Sequence, residues 1–102
     1  MKFVHILVCA SVLVYAPAFA NSKLATEKGC MACHSVDKKL VGPSYQDVAK
    51  KYAGQKDALA VLIKSIKAGS SGKFGPVPMP AQAALSEADA KTLAAWVLAG
   101  AK

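Results

Sequence analysis

Cys30-Met31-Ala32-Cys33-His34 constrains this 102-residue chain more than any other segment. Two thiols three positions apart lie about one helical turn from each other on one face, and an imidazole follows at once. Several kinds of chemistry use such a pair. A zinc site takes about four ligands, usually two such pairs. Beyond residue 20, however, Cys30, Cys33 and His34 are the only cysteines and the only histidine. A thioredoxin-type dithiol belongs in a βαβ setting, and no stretch here alternates as a strand does. A structural disulfide over so short a loop contributes little entropy and leaves His34 without a role.

Covalent attachment of a c-type haem uses all three residues. Cys30 and Cys33 can add their S–H bonds across the two vinyl groups as thioethers, and His34 then faces the iron from the same side.

The rest of the chain divides at Ala20. Of the first 20 residues 16 are hydrophobic, against 54% overall. Met1-Lys2 give a positive start, Ile6 to Tyr15 an apolar run, and Ala16-Pro17-Ala18-Phe19-Ala20 a small-x-small ending before Asn21. The run falls short of the roughly 20 apolar residues that span a bilayer. Residues 1–20 are therefore expected to be a cleaved signal peptide, and 21–102 one small exported domain without a membrane anchor. Cys9 lies inside the apolar run and is read as a small hydrophobe that leaves with it. With Lys2 removed, 12 Lys, no Arg and 6 acids remain, a net +6. A domain of this size excludes a multidomain enzyme.

Helix signals dominate residues 21–102. Asn21 or Ser22 is placed to cap a first helix through Leu24 and Ala25 towards Cys33. Ser44-x-x-Asp47 opens a second through Val48 and Tyr52. Asp57 is placed to cap a third, whose Leu59, Leu62, Ile63 and Ile66 share a face until Gly69. Ser86-x-x-Asp89 opens a fourth, with Leu85 as a staple against Ala90 and with Leu93, Trp96 and Val97 on one face until Gly100. Between the last two, Gly69 to Pro80 is too rich in Gly and Pro for a helix or a central strand and must lie as a strap. Four short helices and a strap leave a thin core, which at this size calls for a staple such as a cofactor.

Two thioethers remain as candidates for a second iron ligand, Met31 and Met79. Met31 lies between the two attachment cysteines, which hold its backbone against the porphyrin edge. Met79, in Pro78-Met79-Pro80, sits in the stiffened strap and is the better candidate.

Gly29-Cys-Met-Ala-Cys-His34, Val41-Gly-Pro43, Ile66-Lys-Ala-Gly-Ser-Ser-Gly72, Gly75-Pro-Val-Pro-Met-Pro80 and Thr92-Leu-Ala-Ala-Trp-Val-Leu98 together resemble the class I monohaem cytochromes c. The likeness is to the short bacterial periplasmic subfamily that donates electrons to nitrite reductases and terminal oxidases. It implies an all-α fold of four to five short helices and a Pro-rich strap around one covalently bound haem c. It implies His34 and Met79 as axial iron ligands, and Pro43 as the carbonyl that accepts from the other ring nitrogen of His34. It also implies that Gly29 lacks a side chain because the first and last helices cross there. Many relatives carry a Trp where this strap has Phe74, its indole N–H reaching a haem propionate, and an Asn soon after the ligand Met, where Ala81-Gln82 stands here.

With both axial positions taken by side chains, the expected function is one-electron transfer and not catalysis. The alternatives are a gas-binding or weakly peroxidatic module in which Met79 lets go, with Phe74 and Gln82 as its sequence grounds, and a helical domain closed by a Cys30–Cys33 disulfide. Lys28, Lys38-Lys39, Lys50-Lys51, Lys64, Lys67 and Lys73 flank the segments expected around the haem edge. Such a rim suits acidic redox partners, a nitrite reductase, a terminal oxidase or a cytochrome-containing donor, met by a monomer. Without Arg or a basic aromatic motif, nucleic acid is a poor partner.

Overall fold

The computed structural model describes residues 18–102. Most of the expected leader, residues 1–17, lies outside them. The described residues form four helices, α1 (Ala18–Glu27), α2 (Tyr45–Tyr52), α3 (Ala58–Ala68) and α4 (Glu87–Leu98), with a short 3-10 turn at Cys30–Ala32. None of these helices is long and apolar enough to cross a membrane. The all-α architecture expected from the sequence is what folds.

α4 is the hub, and α1, α2 and α3 all pack against it. Its Ala90, Leu93, Ala94, Trp96 and Val97 are buried and meet Ala25 of α1, Tyr45, Val48 and Tyr52 of α2, and Ala58 and Leu62 of α3. Ala25 and Ala94 are both fully buried, so small side chains line the places where backbones come nearest. Leu85 and Ala90 join the same cluster, as a staple across the start of α4 requires.

Both serine caps form. The amide of Asp47 donates to Ser44 Oγ at 3.1 Å, and that of Asp89 donates to Ser86 Oγ at 3.1 Å. Each satisfies one of the N–H groups that the first turn of a helix leaves unpaired. Asp57 does occupy the position before α3, but its carboxylate makes no cap bond. Gln55 Nε2 donates to that carboxylate at 2.8 Å instead.

The first helix departs from expectation at both ends. It starts at Ala18, so neither Asn21 nor Ser22 caps it, and it stops at Glu27 instead of running to Cys33. The break is Gly29, whose φ of +78° lies in the left-handed region. A Cβ built on Gly29 meets nothing within 4 Å. The glycine is thus required by its backbone angle and not by a helix crossing, and α1 packs into the α4 cluster through Ala25, with Leu24 partly buried against it.

Candidate haem site

The cysteine pair lies on the turn that follows this break. His34 N–H and Cys33 N–H both donate to Cys30 O, at 3.0 and 3.2 Å, which closes the segment into a tight loop. Both cysteines are partly buried and unpaired, so no Cys30–Cys33 disulfide forms. Burial pushes the Cys30 thiol above its ordinary pKa, against the smaller lowering effect of a hydrogen bond with Tyr45.

His34 is held on three sides. Its Nδ1 lies 2.8 Å from Pro43 O, and a carbonyl can only accept, so this nitrogen carries a proton and, in the neutral ring, the lone pair lies on Nε2. Tyr45 stacks on the imidazole with ring centroids 5.0 Å apart at 21°. Gly42 approaches so closely that a Cβ there would lie 2.7 Å from His34 Cε1, and its N–H donates to Cys33 O at 2.7 Å. The role of Gly42 is missing from the sequence reading. Its signal was a glycine ahead of the very proline whose carbonyl meets the ring.

Met79 comes to the site on the strap. Ser70 N–H donates to Met79 O at 3.1 Å and Met79 N–H donates to Ser70 O at 2.7 Å, a single antiparallel bridge. The chain beyond is tied back to α3, with Gln82 N–H donating to Ile66 O at 2.9 Å and Lys67 Nζ to Leu85 O at 2.5 Å. Lys67, counted in sequence among the rim lysines, is thereby engaged with backbone.

Cys30, Cys33, His34, Pro43 and Met79 line one cavity, which encloses about 1100 Å³ of non-protein space with its open mouth included. The remaining wall is largely apolar, with Val48, Leu62, Leu93 and Val97 among its residues. Met31 packs against the core and is absent from this wall. Gln82 is absent too, whereas Phe74 lines it, 6.5 Å from the Tyr52 ring, with Lys51 Nζ 4.5 Å from its centroid. Two thiols, an imidazole with a free Nε2 and a thioether around an apolar slot fit an iron porphyrin, a flat apolar molecule that binds soft and imidazole ligands. Among the described residues no three His, Cys, Asp or Glu side chains cluster as a bare metal ion would need.

Comparison with known proteins gives the family. The family model described as "Cytochrome c" matches residues 20–101. The chain is 59% identical over 80 residues to a cytochrome c-552 of Hydrogenobacter thermophilus, covering 78% of this chain and 81% of that one. It is 55% identical over 78 residues to a cytochrome c-551 of Pseudomonas denitrificans, covering 76% of this chain and 94% of that one. The crystal structure of Nitrosomonas europaea cytochrome c552 superposes with a TM-score of 0.75 at 49% identity, covering 76% of this chain and 96% of that one.

Proposed function

The chain belongs to the cytochrome c family, an electron-transfer family with covalently bound haem c, and we propose that it is a periplasmic one-electron carrier with His34 and Met79 as axial ligands. The observation that carries this reading is the shared cavity: a histidine with Nε2 free and a methionine on a separately anchored strap line the same apolar slot. Haem iron, when bound, supplies an Fe(III)/Fe(II) couple, and a thioether ligand raises its potential relative to bis-histidine ligation.

Each protein group has a definable task. Cys30 and Cys33 would tether the porphyrin as thioethers. Pro43 O holds the proton on His34 Nδ1 and fixes the ring plane, so that Nε2 stays basic and directed. The Ser70–Met79 bridge fixes the backbone that carries the thioether. Were His34 and Met79 both to hold the iron, they would leave oxygen and nitrite no open site there. Val41 and Val77, 57% and 58% exposed, line the cavity and mark its accessible edge.

Export of the mature domain after loss of residues 1–20 would place this carrier in the periplasm. Docking would bring its lysine-rich surface onto an acidic redox partner, a nitrite reductase, a terminal oxidase or a cytochrome-containing donor. Visible spectroscopy tests the ligation. The oxidised protein should show a thioether-to-iron charge-transfer band at the red edge, absent in Met79→Ala, and the reduced protein should leave carbon monoxide unbound at neutral pH. Ready carbon monoxide binding by the unmodified protein would overturn the closed-site reading in favour of a gas-binding module.

A further inference from the structure

A haem would bring two propionate carboxylates into a cavity whose wall is largely apolar. Among the described residues that line it, Lys73 is the one cationic side chain, and no carboxylate lines it at all. Lys73 Nζ donates to Ser65 Oγ at 3.0 Å. Ser65 is only 8% exposed, sits on α3 and lines the same wall. A buried hydroxyl that accepts from an ammonium keeps its own proton to donate, and the ammonium keeps two more. The pair thus presents several hydrogen-bond donors and a positive charge at a wall that supplies no anion.

Two neighbouring cations are engaged elsewhere. Lys51 of α2 lies over the Phe74 ring and donates to Lys73 O at 2.5 Å, which anchors the backbone of Lys73 itself. Lys67 of α3 holds Leu85 O. Asp47 of α2 and Glu87 and Asp89 of α4 are not part of the wall, so nothing acidic competes for the Lys73 ammonium there. Phe74, next in sequence, has no donor to offer.

We propose that Lys73, positioned by Ser65 and Lys51, is the residue that pairs with a haem propionate in this protein. The proposal rests on haem filling the cavity and is independent of whether Met79 binds iron. A carboxylate facing a cation within a few ångströms ionises at lower pH, and ionisation of a propionate lowers the reduction potential of the iron beside it.

The test is the reduction potential of the haem-loaded protein followed against pH, with visible spectra taken alongside. Lys73→Met is expected to move the propionate step of that profile up by about one pH unit, Lys73→Arg to leave it near its original position, and Ser65→Ala to move it in the same direction by less. Lys51→Met should affect it less than Lys73→Met. An unshifted step in Lys73→Met with the spectrum unchanged overturns the proposal, as does a larger shift in Lys51→Met. Because the spectrum reports the axial ligands separately, a missing charge-transfer band in the unmodified protein would refute Met79 ligation and leave the propionate step readable.

Discussion

Ser70 and Met79, nine positions apart in sequence, exchange both of their backbone hydrogen bonds, at 3.1 and 2.7 Å. The bridge closes the strap at its base, two residues beyond the end of α3. The position of the Met79 backbone is therefore set from α3, and the Gly- and Pro-rich loop between needs only to be long enough to reach.

Gly69 guards that closure. Its φ is +78°, and a Cβ there would lie 2.7 Å from Met79 O and 3.0 Å from Ala81 N. Gly69→Ala should destabilise the loaded protein by about 2–3 kcal/mol, from left-handed strain and collision with backbone that cannot swing aside. Denaturant titration of the oxidised protein checks it: the charge-transfer band should vanish at lower denaturant than in the unmodified chain.

Gly42 and Gly29 should answer the same substitution differently. Gly42→Ala pushes a methyl against His34 Cε1 and should tilt the imidazole away from Pro43 O, altering the visible spectrum of the loaded protein. Gly29→Ala meets only the strain of a φ of +78°, about 1–2 kcal/mol, and should leave that spectrum unaltered. Spectra and thermal melts of the two variants decide the matter, and an altered spectrum in Gly29→Ala alone would reverse the assignment.

Tyr45 links stability to alkaline pH. Burial raises its phenol well above the ordinary value of 10. The unfolded chain loses the phenolic proton above about pH 10 while the folded chain keeps it, so stability is complete below that pH and declines above it, by up to about 1.4 kcal/mol per pH unit. Tyr45→Phe should flatten this decline. Urea denaturation at pH 9 to 11, with tyrosinate absorbance recorded, measures both.

Removing the tether should remove the fold's cooperativity. Cys30→Ala with Cys33→Ala leaves the apolar slot without a covalently held occupant. At this chain length the remaining core is marginal. The double variant, freed of haem, should lose its sharp thermal transition while keeping part of its helical circular dichroism.

Much of this was legible because the relevant signals are local. Ser44 and Ser86 announce their helices within four residues, Leu85 its staple, and the Cys30 to His34 run its cofactor. The capped helices began as expected because a cap bond spans only three positions. The first helix was misjudged at both ends. Its apolar residues fit a longer helix, and the stop at Gly29 is a backbone angle with no packing signature. The contacts of Gly42 with His34, of Ser70 with Met79 and of Ser65 with Lys73 join residues up to nine positions apart through loops, where no periodicity operates. Pro43 was reachable only through family likeness, since a carbonyl acceptor leaves no mark on residue type.

Val48, Leu62, Leu93 and Val97 belong both to the buried core and to the wall of the cavity. One layer of side chains thus serves as interior and as binding surface, and an empty copy of the protein has no intact interior to fall back on. A protease would meet two populations, loaded chains that rarely open and unloaded chains that open readily, and would degrade the second selectively. Cofactor loading would in this way be inspected through the foldedness of the chain, without any receptor that recognises haem.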